Sequence, residues 1–297
     1  MSMREPKLQN RYIFDGREVA WGVVGSGPPV VAIHGTPWSS WNLRHVINAL
    51  AAEYRLYYFD LLGYGCSDKR DGDVSLGVQN DLLATLLDHW RLDRPIVVGH
   101  DFGGAVALRT RLLNNRRFAA LVLIDAVAVR PWGSEFFRHV QQHEQAFAGV
   151  PAYMHEAMVR SYVQTAAHHD IDPAVLERIV QPWLGEAGQR AFYRQIAQAS
   201  QSYTDEVQPH YGEIDEPALV LWGAADSWIP SERGETLASA LPDARFERIP
   251  DAGHLVIEER PEELVARIQP FLAELSRRGS AHSTNGDLRN DGLRNDG

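Results

Sequence analysis

The chain has 297 residues, 44% of them apolar, enough to bury a full core in one large domain or in a domain carrying an insertion. Its 29 Lys and Arg against 39 Asp and Glu leave a net charge of −10 with no basic run to neutralise phosphates, which argues against nucleic acid as a partner. The single cysteine, Cys66, excludes an internal disulfide framework and a cysteine-rich metal centre. No apolar secretory segment opens the chain and no run of about 18 apolar residues could span a bilayer, so a cytoplasmic protein with no membrane partner is expected.

In chain order, residues 12–24 read as a hairpin, followed by short β-rich runs at 30–34, 55–60, 95–99, 121–125, 218–222 and 245–249. Amphipathic stretches alternate with these runs, a pattern that predicts a mostly parallel sheet covered by helices on both faces. Leu82, Leu83, Leu86, Leu87 and Trp90 share one helical stripe, as do Leu264, Val265, Ile268, Leu272 and Leu275. Pro261 suits the first turn of that last helix, and Pro270 is expected to kink or interrupt it.

Across 130–211 the strand signal vanishes and aromatic residues such as Phe136, Phe147, Trp183 and Phe192 recur at helical spacing. This predicts a helical lid (130–211) inserted into a core formed by 11–129 and 212–278. Such a lid would hang over the strand ends and exclude water from a pocket. The plainer alternative is a helical segment that only thickens the core. The tail, 279–297, is rich in Ser, Asn, Asp and Gly and ends in a repeated LRNDG, with too little to bury for order to be expected.

The sharpest motif is Gly99-His100-Asp101-Phe102-Gly103-Gly104, between the run 95–99 and an apolar helix. Small residues there let strand and helix approach closely around a strained central residue, the pattern of a nucleophile elbow. A carboxylate in that position has chemical content. Alkylated at a saturated carbon, a serine becomes an ether that water does not readily cleave, whereas a carboxylate becomes an ester that water can cleave. The plainer reading is that Asp101 only caps the following helix.

The elbow resembles that of the α/β-hydrolase superfamily, with Asp where most members place Ser, as in the epoxide hydrolase and haloalkane dehalogenase branches. The resemblance implies an eight-stranded α/β-hydrolase fold and a covalent alkyl-aspartyl intermediate, with no cofactor and no metal. Asp251-Ala252-Gly253-His254-Leu255 resembles the catalytic histidine loop, which makes His254 the base. Asp226 matches the position of the supporting acid, and Asp125 is its rival, because one dehalogenase subgroup takes its acid from near that strand. His34-Gly35-Thr36-Pro37 is similar to the HGxP motif of the Asp-nucleophile branch. Backbone N–H groups of Thr36 and Phe102 are then the expected oxyanion donors. Gly63-Tyr64-Gly65-Cys66-Ser67-Asp68 is similar to a loop common in the superfamily and speaks of fold alone, while His34 and His100 read as loop-orienting residues.

Two carboxylates beside His254 should keep it protonated until Asp101 becomes an uncharged ester; it can then activate water. The leaving group is harder to read. Haloalkane dehalogenases usually carry Trp after the nucleophile, where this chain has Phe102. Epoxide hydrolases protonate the departing oxygen with lid tyrosines, for which Tyr193 is the first candidate and Tyr153 or Tyr162 the second. Trp38, Trp132, Trp183 or Trp228 could supply an indole N–H instead. The expected partners are a small apolar organic substrate and water, with epoxide hydrolysis ahead of haloalkane dehalogenation. A binding protein that keeps only the scaffold is the alternative of another class, followed by an acyl hydrolase or lyase in which Asp101 transfers protons.

Overall fold

The computed structural model describes residues 5–287. Among them eight strands form one sheet in the order β1-β2-β4-β3-β5-β6-β7-β8. β1 (Asn10–Phe14) and β2 (Arg17–Gly25) pair antiparallel across Asp15-Gly16. The φ angles of that pair, 48° and 70°, meet the need of a two-residue hairpin turn for two left-handed residues. β2 also runs antiparallel to β4 (Arg55–Phe59). β3 (Pro29–Ile33), β4, β5 (Ile96–His100), β6 (Ala120–Ile124), β7 (Ala218–Gly223) and β8 (Ala244–Ile249) are mutually parallel. Central strands β5 and β6 are buried at every residue because helices cover both faces, whereas edge strand β8 is exposed at several positions. All of these elements fall within two residues of the runs expected from the sequence.

Helices α1 (Arg44–Leu50), α2 (Leu76–Trp90) and α3 (Phe102–Leu113) connect the first parallel strands. The α2 stripe of Leu82, Leu83, Leu86, Leu87 and Trp90 is buried, as its spacing requires. Between β6 and β7 the chain forms α4 (Glu135–Ala148), α5 (Ala152–Gln164), α6 (Pro173–Val180), α7 (Gly185–Ala197) and α8 (Ser202–Asp205), with no strand among them. Phe137, Val140, Val159, Val163, Trp183 and Phe192 give this helical segment a buried apolar interior. That interior is continuous with the main core.

After β7 come α9 (Glu232–Ala240), α10 (Val256–Glu259) and α11 (Pro261–Asp287). One of two expectations for the last helix needs correction. Pro270 sits inside α11 without ending it. The carbonyl one turn back belongs to Ala266, and both residues are exposed, so water can donate to that carbonyl the bond that proline cannot make. The helix also runs past Gly279, where a tail without structure was expected, to Asp287; residues 288–297 lie outside the described residues.

Candidate active site

The C-terminal ends of β3, β5, β7 and β8 bring the expected site residues together. Asp101 occupies the corner between β5 and α3 at φ 52° and ψ −117°, a strained backbone for a residue with a side chain. The corner closes only because its neighbours are small. A Cβ on Gly103 would stand 2.2 Å from the Ile33 carbonyl oxygen, and one on Gly35 would stand 2.1 Å from Asp101 Oδ1. Glycine at 35 thus lets the backbone after β3 lie directly over the carboxylate.

That contact is used. The Thr36 N–H donates to Asp101 Oδ1 at 2.6 Å, while Asp101 Oδ2 faces His254 Nε2 at 3.2 Å. On the other side of the ring, His254 Nδ1 donates to Asp226 Oδ2 at 2.8 Å. Asp226 is fixed in turn, since its Oδ1 accepts from the N–H groups of Trp228 and Ile229 at 2.8 and 2.9 Å. All three side chains are buried. Burial opposes a charged imidazole, but the carboxylates of Asp226 and Asp101 outweigh it and raise the pKa of His254 well above its ordinary value.

Asp125 lies behind this row, at the end of β6. Its Oδ1 accepts from Gly223 N–H at 2.8 Å, and its other oxygen has no partner among the described residues. Burial, reinforced by the charge of Asp226, pushes the Asp125 carboxyl well above the usual range, toward the neutral acid. The carboxylate against Nδ1 is therefore that of Asp226, and Asp125 is a buried companion.

Two further contacts hold the loops in register. His34 Nε2 accepts from Leu61 N–H at 2.9 Å while its Nδ1 faces the Gly35 carbonyl, and His100 Nε2 donates to the His254 carbonyl at 3.0 Å. Burial and then the neighbouring His254 charge lower His100 to about 4. Arg44 on α1 clamps Glu258 on α10 with two bonds of 2.6 Å, both side chains being buried. This ion pair ties the loop after β3 to the one that carries His254.

Asp101 opens on a cavity of about 120 Å³ with a largely apolar wall that includes Phe102, Val127, Trp132, Phe137, Tyr162 and Trp228. Thr36 reaches it as well. Phe102 places its ring in the wall, edge-on to Trp132, and begins α3 beside the carboxylate. Tyr162, from α5, stacks on Trp228 with ring centroids 4.6 Å apart. Burial, and then the charge of Asp101, keep its phenol well above the ordinary pKa and hence protonated.

Of the other nominated donors, Trp132 and Trp228 line the cavity, and Tyr193, Tyr153, Trp38 and Trp183 lie outside it. Tyr193 does not line the cavity; it is fully buried between α5 and α7, its hydroxyl 3.0 Å from His155 Nδ1, and burial raises it to about 12. It belongs to the core of the helical segment because its position on α7 faces α5 and not the strand ends. Tyr153 is 75% exposed on the outer face of α5. Trp38 is buried and stacks on the far side of Trp228 without reaching the cavity, although its Nε1 has no partner among the described residues. The indoles of Trp132, Trp183 and Trp228 donate to Thr204 Oγ1, the Pro37 carbonyl and Thr165 Oγ1.

One residue escaped the sequence reading altogether. Gln195, on α7, accepts through Oε1 from Thr36 Oγ1 at 2.7 Å and from Tyr64 O–H at 2.9 Å. It joins the helical segment to the very residue whose N–H holds Asp101. A polar residue two places after Tyr193 was its only trace in the sequence, and nothing there marked which way it faces.

Comparison with known proteins agrees with this architecture. Residues 28–261 match the model of the family described as alpha/beta hydrolase fold. A solved alpha/beta hydrolase fold protein from Burkholderia ambifaria is 46% identical with a TM-score of 0.88, over 90% of this chain and 99% of that one. A cis-3-alkyl-4-alkyloxetan-2-one decarboxylase from Xanthomonas campestris is 28% identical over 83% of this chain and 88% of its own length. Haloalkane dehalogenase 2 of Mycobacterium bovis is 27% identical over 82% of this chain and 87% of its own.

Proposed function

Because the chain belongs to the alpha/beta hydrolase fold family, we propose that it hydrolyses a small strained-ring electrophile, an epoxide, through an ester on Asp101. The observation that carries this reading is the geometry of one carboxylate. Its Oδ1 is held by Thr36 N–H, its Oδ2 is presented to His254, and it opens on a small apolar cavity that Tyr162 also lines.

In the first step Asp101 Oδ2 forms a bond to a ring carbon, the carbon–oxygen bond breaks, and the departing oxygen takes the proton of Tyr162. A neutral phenol in a dry wall is a donor suited to a developing alkoxide. Esterification removes the charge of Asp101, so His254 loses one of the two anions that hold its proton and passes that proton through solvent to the Tyr162 phenolate. The freed imidazole then takes a proton from water, and the hydroxide attacks Cγ of the ester. The resulting oxyanion falls to the N–H groups of Thr36 and Phe102, and on collapse the departing alcohol oxygen takes the proton of the new carboxyl group, which releases a diol and restores the carboxylate beside a protonated His254. Helices α4 to α8 act as the lid that keeps the first step dry.

Haloalkane dehalogenation is the second reading, favoured by the 27% identical dehalogenase. Opening an oxetanone ring is related chemistry and belongs in the same panel. The test is a single turnover in ¹⁸O-water with epoxides, haloalkanes and a cis-3,4-dialkyl-oxetan-2-one. Hydrolysis of the ester at Cγ puts one heavy oxygen into the Asp101 peptide, with the epoxide turned over fastest. His254→Gln, trapped with the same panel, should gain the full mass of an epoxide, or that of a haloalkane less its hydrogen halide. No adduct and no label with any compound would remove the covalent reading and leave binding or proton transfer.

A further inference from the structure

Away from the cavity, the loop that follows α5 lies directly on the loop that carries His254. Leu255 N–H donates to the Ala166 carbonyl at 3.1 Å. The Glu259 carboxylate bridges the two loops, one oxygen accepting from the N–H groups of His168 and His169 at 2.8 and 2.9 Å, the other from Gly253 N–H at 2.7 Å. On the outer side of this seam three side chains converge. Asp251 Oδ1 is 2.8 Å from His169 Nε2 and 3.6 Å from His168 Nε2, and one ligand atom from each residue lies within 4.8 Å of the others.

We propose that His168, His169 and Asp251 form a binding site for one divalent transition-metal ion of the zinc class, which ties the helical segment to the loop of the catalytic histidine. Zinc bonds nitrogen and carboxylate oxygen at roughly 2.0–2.2 Å in a tetrahedron, so its ligand atoms stand about 3.4 Å apart. The separations of 2.8 and 3.6 Å bracket that edge, and all three side chains are about half exposed and free to adjust by tenths of an ångström. Two imidazoles with one carboxylate select zinc, nickel, cobalt or copper over magnesium and calcium, which demand oxygen. Water completes the fourth position.

Two further features suit the site to a metal. Asp251 Oδ2 is already engaged by the Arg260 guanidinium, which leaves Oδ1 as the single coordinating oxygen and fixes the plane of the carboxylate. The backbone of both histidines is pinned by Glu259 before any ion arrives, so binding orders side chains alone. In the absence of metal, His169 simply hydrogen-bonds Asp251. With it, a third link joins Glu259 and the Leu255–Ala166 bond across the seam, three residues upstream of His254. The site is on the surface and takes no part in the reaction; its effect is on how firmly the lid is held to the histidine loop.

The full chain, stripped with EDTA, is titrated with zinc chloride and separately with cobalt chloride. One equivalent binds, cobalt develops the visible absorption of a four-coordinate nitrogen–oxygen site, and zinc raises Tm and slows backbone exchange across 165–172. The double variant His168→Ala/His169→Ala weakens binding at least tenfold and abolishes the Tm rise. Asp251→Asn, which keeps a residue type tolerant of the φ of 55° at that position, does the same. Metal-free melting curves check that both variants fold. An unchanged cobalt spectrum in the variants would mean that the ion sits on other histidines of the 12 in the chain, and a wild type that binds no zinc at micromolar concentration overturns the proposal outright.

Discussion

The strand ends and the helical segment supply the site in different ways. At the strand ends both carboxylates of the row are oriented by backbone, Asp101 by Thr36 N–H and Asp226 by the N–H groups of Trp228 and Ile229, and Asp226 in turn holds His254. The helical segment contributes through side chains alone, with Tyr162 in the cavity wall and Gln195 on Thr36. Backbone-held groups have one position set by the fold, whereas helix-borne groups depend on which face a helix turns inward. Lesions at the strand ends should therefore abolish steps, and lesions in the helices should grade them.

The largest effects test the first half of that contrast. Asp101→Asn should abolish turnover of every substrate, and His254→Gln should halt it after a single adduct per chain, as seen by intact mass. Asp226→Asn should cost about 10³–10⁴ in kcat through loss of the correct tautomer. Asp125→Asn mimics the neutral form toward which burial pushes that carboxyl and should stay within a few-fold of wild type. Equal losses for the two would break the assignment of Asp226.

Next come the helix-borne groups. Tyr162→Phe should lower the rate of adduct formation by about 10²-fold or more. It should leave hydrolysis of a preformed ester unchanged. Tyr193→Phe should leave both steps alone and destabilise the fold by roughly 1–3 kcal/mol, because His155 Nδ1 loses its buried partner. If the two tyrosines exchanged these phenotypes, the reading of the cavity wall would fail. Glu258→Ala strands the buried Arg44 charge and should cost about 3–5 kcal/mol in chemical denaturation.

The smallest effect is one of pH. The folded-state pKa of His254 lies above the unfolded value of 6.5, so the stability it contributes is complete below 6.5 and fades as pH rises through the folded value. The raised carboxyl of Asp125 acts in the same sense, the stability tied to its proton being complete below the unfolded value of 3.8 and fading as pH rises through the folded value. Tm should therefore decline on the alkaline side, and less steeply in Asp125→Asn. A decline of equal slope in that variant would show that Asp125 is ionised in the native state.

How much of this was legible in the sequence follows the same division. Strand positions and the row Asp101, His254, Asp226 could be read because glycines, turn residues and strand ends leave local marks. Gly35 and Gly103 are small for reasons their motifs already implied. The choice among Tyr153, Tyr162 and Tyr193 could not be read that way. All three sit in aromatic helical stretches of similar composition, and only packing sends one to solvent, one to the cavity and one into the core. Gln195 was hidden for the same reason, since its importance lies in partners 131 and 159 positions away.

The two links from α7 and its approach to the loop after β3, Gln195 to Thr36 and the Trp183 indole to the Pro37 carbonyl, carry a consequence for selectivity. A molecule too bulky for the cavity can be seated only by prising these helices upward, and the same movement tugs on the amide that steadies the reactive acid. Oversized compounds should thus bind well enough yet convert slowly, so that discrimination by size registers in kcat more than in KM.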